Sequence, residues 1–124
     1  MKIERMIEEF RKERNWNHEN KEKDLALSIS IEAAELLENF QCIDSTEALE
    51  SNRKNIEEEL SDVLIYSYML AANLGIDVKK SIAEKLDKNS KRYPVKELVD
   101  GSSSYLELKE KSRMEEKLKK KRLN

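Results

Sequence analysis

The chain has 124 residues, enough for one domain with its own core. Charged residues make up 40% of it, yet 24 Lys+Arg against 26 Asp+Glu leave a formal charge of −2, so no global field points to nucleic acid or an anionic membrane. Two glycines and one proline exclude turn-rich all-β folds and glycine phosphate loops, while one Cys and one His exclude an internal disulfide, a Cys-based zinc site and any scheme needing two imidazoles.

The first predicted helix covers about 2–14, with Ile3, Met6, Ile7 and Phe10 on one stripe at i, i+3, i+4 and i+7. Its Glu-rich sequence has no apolar core of the signal-peptide kind, and with a free Cys42 this fits the cytoplasm. Trp16 to Asn20 is a connector, and His18 within it reads as an exposed bystander. A second helix runs from about Lys21 to Phe40. A polar linker follows, with room for a helical turn around Ser45–Leu49, and then a third helix spans about Arg53 to Leu74. Gly75 stands where a C-terminal cap belongs, and Asp77 is a good N-cap for a fourth helix that ends before Tyr93–Pro94. From Val95 the apolar periodicity fades. Gly101 to Ser104 reads as a flexible joint, and Leu106 to Leu123 as a very polar helix. The expectation is an all-α protein: a four-helix bundle with antiparallel core helices over residues 1–98, and a joint with a charged helical tail over 99–124.

The informative signal lies on helices two and three. At 3.6 residues per turn, Asp24, Ser28, Glu32, Glu35 and Asn39 fall within about 80° of arc, and Leu, Ile, Ala and Phe cover most of the remainder. Helix three repeats this, with Asn55, Glu59, Asp62, Tyr66 and Asn73 within about 60°. A helix apolar nearly all round is buried, so its narrow acidic stripe is enclosed or lines a cleft. Unpaired carboxylates held there are costly and repel one another, so a cation belongs beside them. The pairs Glu32/Glu35 and Glu59/Asp62 are each i, i+3 neighbours, and a helix–linker–helix connection sets the two helices antiparallel. Up to four oxygen donors suit Mg²⁺ or Mn²⁺. On helix four, Ser81, Lys85, Lys88 and Arg92 form a stripe with Asn89 beside it, which suits a polyanion.

Other readings stay open at this level. Lys85 or Arg92 can pair the acids structurally, and the acidic stripes can instead bind a basic partner in a non-catalytic module. Read from the residues alone, Trp16 and Tyr66 are by default core or core-edge aromatics.

Glu32-Ala-Ala-Glu35, 23 residues, then Glu59-Leu-Ser-Asp62 resembles the E-x-x-E…E-x-x-D signature of the MazG-like all-α nucleoside triphosphate pyrophosphohydrolases. Glu58 to Tyr66 and Lys85 to Pro94 are similar to the dCTP-pyrophosphatase-like branch of that superfamily. The resemblance spans about Trp16 to Tyr105. It implies Mg²⁺-dependent hydrolysis of a (d)NTP to the monophosphate and pyrophosphate, with Glu32, Glu35, Glu59 and Asp62 as metal ligands. It further implies that Tyr66 and Asn89 contact the nucleotide, that Lys85 and Arg92 lie near the phosphates, and that Trp16 packs on the base. A homodimer or a tetramer built from dimers is also implied. Two positions depart from the branch: Asn20 stands where a His is usual, and Cys42 where a second Trp is frequent. Glu38, beside Glu35 on the wheel, is placed to orient or deprotonate the attacking water. Ser102 to Tyr105 is a candidate to close over the nucleotide.

Overall fold

The computed structural model describes residues 2–17, 21–101 and 103–123. It carries seven helices and no strand among the described residues: α1 (Ile3–Glu13), α2 (Glu22–Glu38), α3 (Ser45–Ser51), α4 (Arg53–Leu74), α5 (Val78–Arg92), α6 (Val95–Val99) and α7 (Tyr105–Leu123). The all-α expectation holds, with the element ends within two residues of those read from the sequence for α1, α2, α4 and α5. The turn expected in the linker is α3, started by Asp44, whose carboxylate accepts from the backbone N–H of Glu47 at 2.8 Å. The single helical turn α6 leaves no period in the sequence, because five residues behind Pro94 are too few to show one.

The stops follow from backbone chemistry. Gly75 is left-handed (φ 67°) and ends α4, with the N–H of Ile76 donating back to the Ala71 carbonyl at 2.9 Å. Asn15 (φ 58°) does the same for α1.

The chain forms two compact units, Met1–Val78 and Lys79–Asn124. In the first, α2 and α4 are antiparallel. Asn39 meets Asn55, Glu32 lies with Glu59 and Asp62, and Leu25 shares a cluster with Met69, so positions advance along one helix as they retreat along the other. α1 closes this pair: Ile7 joins Leu25 and Met69 in the core, with Ile65, Tyr66, Tyr68 and Leu70 packed against it. The sequence reading expects α2 and α4 to be covered all round. Within one chain they are not, and Leu27 (59% exposed) and Leu64 (51%) face outward with Ile31, Leu37 and Leu60.

In the second unit α7 is fastened to α5. Arg92 Nε donates to Ser112 Oγ at 2.7 Å, and both Arg92 Nη2 and Lys88 Nζ reach Glu116 Oε1 at 3.2 Å. Tyr93 and Tyr105 stack with ring centroids 5.0 Å apart, and Leu108 is buried.

Candidate functional site

Three carboxylates converge between α2 and α4. One oxygen from each of Glu32, Glu59 and Asp62 lies within 4.8 Å of the others, and all three residues are half-buried. The spacing explains the convergence: Glu59 and Asp62 share a face of α4, and the antiparallel register sets Glu32 opposite them.

Packing acids this closely raises their proton affinity. Burial, hydrogen bonds to Glu35 and Glu59, and the charges of Glu35 and Asp62 together push the Glu32 carboxyl up to about 7. Glu59 is raised as well, by burial first and then by Glu35 and Asp62, while the hydrogen bond from Glu32 opposes the rise. Glu32 and Glu59 therefore both hold protons more tightly than free carboxyls do. Glu35 is outside the three-oxygen group, but its effect on both neighbours puts it at the edge of the same site. Glu32 Oε2 and Glu59 Oε2 are buried without a hydrogen-bond partner. Oxygens left unpaired in a half-buried acidic cluster are what a cation would satisfy, and an all-carboxylate donor set fits a hard ion such as Mg²⁺ or Mn²⁺.

Beside the cluster lies an apolar groove of about 370 Å³, lined by Met6, Ile7, Phe10, Trp16, Asp62, Ile65, Tyr66 and Met69. Its size is that of a small-molecule site. Asp62 belongs to both groove and cluster. Tyr66 also joins them: burial and then the charges of Glu32, Asp62 and Glu35 raise its phenol pKa. Of the residues expected at the site, Trp16 and Tyr66 thus lie in one groove next to Glu32, Glu35, Glu59 and Asp62. Glu38 is exposed on the last turn of α2.

Lys85, Asn89 and Arg92 are in the second unit. There Arg92 is engaged by Ser112 and Glu116, and Asn89 Oδ1 is buried without a partner. The positions of His18, Asn20 and Ser102 lie outside the described residues, while Tyr105 is stacked on Tyr93.

Two structural devices carry no motif in the sequence. Asn39 is buried where α2 ends and accepts from Asn52 Nδ2 through its carbonyl (2.8 Å) and from Asn55 Nδ2 through Oδ1 (2.7 Å). Arg11 is 1% exposed, and its guanidinium donates to Glu8, to the Met69 carbonyl and to Asn73 Oδ1. Both hold the helices that bear the acids. Arg11 had one signal in the sequence, a cation four residues after the buried Ile7 on the apolar side of α1.

Fold and site together define an all-helical protein with a carboxylate centre between two antiparallel helices. The MazG-like family model matches residues 27–108, and the chain belongs to that family. It is 42% identical to a pyrophosphatase of Archaeoglobus fulgidus whose crystal structure superposes with a TM-score of 0.68, over 72% of this chain and 86% of that one. It is 39% identical over 98 residues to dCTP pyrophosphatase 1 of Mus musculus, covering 75% of this chain and 58% of that protein. The match to dCTP pyrophosphatase 1 of Homo sapiens is 36% over 111 residues, covering 86% of this chain and 65% of that protein. The chain spans about three fifths of the length of the curated relatives it matches. Among the described residues no helix is long and apolar enough to cross a membrane.

Proposed function

We propose that this chain is a nucleotide pyrophosphohydrolase that converts a (d)NTP and water into the monophosphate and pyrophosphate, with Mg²⁺ or Mn²⁺ as cofactor. The observation that carries this reading is the sharing of Asp62 between a three-carboxylate cluster and an aromatic groove. Phosphates and base would then be held side by side. The names of the relatives, dCTP pyrophosphatase and pyrophosphatase, support the same chemistry.

In this reading Glu32, Glu35, Glu59 and Asp62 hold the divalent cation, which supplies Lewis acidity toward the phosphoryl group being transferred. Glu32 must release its proton before it can serve as a ligand, because metal ligation needs the carboxylate. Trp16 and Tyr66 pack on the base, and the apolar lining keeps water from that side of the nucleotide. Glu35 or Glu38 orients the attacking water and takes its proton. Lys85, Asn89 and Arg92 are assigned to the nucleotide on the sequence resemblance alone. We further propose a homodimer or a dimer of dimers, on the strength of the outward-facing leucines of α2 and α4.

The test is pyrophosphate release over a panel of (d)NTPs, dCTP included, with and without Mg²⁺. The reading expects release only with the cation, and its loss in Asp62→Ala and Glu35→Ala proteins that remain helical. Release that persists in both variants would refute the site. Glu38→Gln distinguishes the two bases: turnover lost while cation binding remains assigns the proton to Glu38, and turnover retained assigns it to Glu35, which also serves as a ligand.

A further inference from the structure

The wall of the groove is set by the way α1 ends. The N–H of Asn15 donates to the Lys12 carbonyl at 3.1 Å, and the N–H of Trp16 reaches back to the Arg11 carbonyl at 2.9 Å. Asn15 between them is left-handed at φ 58°. This pair of backbone bonds is a Schellman closure, and it commonly brings the second residue after the cap onto an apolar residue in the last turn of the helix. That contact is present here. The rings of Phe10 and Trp16 meet edge to face, with centroids 5.7 Å apart and planes inclined at 71°.

Phe10 is itself held. The guanidinium of Arg14 lies 3.8 Å from its ring centroid, and Arg14 Nη1 donates to the Phe10 carbonyl at 3.1 Å. The edge-to-face geometry uses the apolar ring of Phe10 to fix the angle of the indole, and Trp16 remains partly open, being 38% exposed.

We infer that Asn15 and Phe10 are positioning residues for Trp16: the left-handed turn and the ring contact fix the indole as one wall of the groove, ready to stack on a base. The inference deepens the proposed function and rests on it for the identity of the ligand. Asparagine is one of the few side-chain-bearing residues that tolerate the left-handed conformation, whereas a β-branched residue there is a genuine outlier. Asn15→Gly should therefore keep the closure, and Asn15→Val should break it. Neither side chain needs to touch the nucleotide for the two variants to differ.

Trp16 is the chain's one tryptophan, so its fluorescence reports its position directly. The experiment compares wild type, Asn15→Gly, Asn15→Val and Phe10→Leu in the full chain. It measures acrylamide quenching without nucleotide, and then KM and kcat for dCTP with Mg²⁺. Asn15→Val and Phe10→Leu should show red-shifted emission, a higher quenching constant and a KM raised about tenfold at nearly unchanged kcat, the size expected for one lost base–aromatic stack. Asn15→Gly should match wild type. If Asn15→Val does not fold, Phe10→Leu carries the comparison, with the quenching constant separating movement of Trp16 from loss of the Phe10 contact. Equal quenching in all four proteins overturns the inference, as does a fall in kcat at constant KM. If the tryptophan shifts as expected but dCTP is neither bound nor hydrolysed by the wild type, the positioning stands and the assignment of the groove to a nucleotide falls.

Discussion

The side-chain amide of Asn55 donates to Asn39 Oδ1 across 2.7 Å, joining the C-cap of α2 to the first turn of α4. Asn39 Nδ2 in turn donates to the carbonyls of Glu35 and Leu36 in the last turn of α2, and the Leu36 carbonyl also accepts from the Asn39 backbone N–H at 3.3 Å. One buried amide thus caps a helix and sets the register in which Glu32 opposes Glu59 and Asp62. Asn39→Ala should lower unfolding free energy by about 1–3 kcal/mol, the typical loss when buried polar partners are left unmade. Urea denaturation measures this. A loss of Mg²⁺ affinity should accompany it, whereas Asn55→Ala, at an exposed position where water can replace the bond, should do less.

Glu32 makes the stability of the metal-free protein depend on pH. Its carboxyl is raised from 4.5 to about 7, so between those values the folded chain holds a proton that the unfolded chain has released. That proton favours the folded state, and the advantage is complete in acid and disappears as pH rises through the window. The thermal midpoint in EDTA should therefore fall between pH ~5 and ~8, and the carboxamide of Glu32→Gln should remove most of the slope. Apparent Mg²⁺ affinity should move the opposite way and rise with pH, because ligation must displace the proton. A midpoint that is flat in EDTA and unchanged by Glu32→Gln would show that the cluster does not share a proton.

The helices and their acidic faces were legible because each depends on a local period. Glu32 and Glu35, or Glu59 and Asp62, are neighbours on any helix, and the antiparallel pairing follows from the helix–linker–helix connection. The core was less legible. Leu27 and Leu64 have the same composition signal as the buried Leu25, and only tertiary packing distinguishes them. Arg92 shows the same limit: its stripe with Lys85 and Lys88 reads as a row of free cations, while the fold delivers Glu116 and Ser112 to it from 20 or more residues away. Asn15, just past the end of the first helix, suits a left-handed cap, but the sequence held no sign that this turn would bring Trp16 to the groove.

Arg11 tests how far the groove depends on α1. Its guanidinium donates to Glu8 Oε1 at 3.0 Å, to the Met69 carbonyl at 3.3 Å and to Asn73 Oδ1 at 2.9 Å, so it ties α1 to α4 beneath Met6, Ile7 and Phe10. Arg11→Ala removes both the bonds and the packed stem, and should cost about 2–4 kcal/mol. Arg11→Met restores the volume without the donors and should recover part of that loss. Thermal denaturation ranks the three proteins. An Arg11→Ala protein as stable as wild type would mean that α1 is held by the Ile7 contacts alone.

The outward leucines give the last expectation. Leu27 and Ile31 are i, i+4 on α2, as Leu60 and Leu64 are on α4, so each pair forms a continuous apolar strip. Fully burying one such side chain stabilises an interface by about 1.5–3 kcal/mol, so a matching pair of strips is enough to favour association. A second copy of the chain is the partner with that matching face, and a two-fold axis would set the strips against themselves. Light scattering on the eluting protein should give a mass of two or four chains. Leu64→Glu places a charge where the contact would be dry and should shift the mass toward one chain while leaving helix content unchanged. A wild-type protein that stays monomeric at high concentration would leave these strips without a partner of its own kind, and the proposed oligomer would be withdrawn.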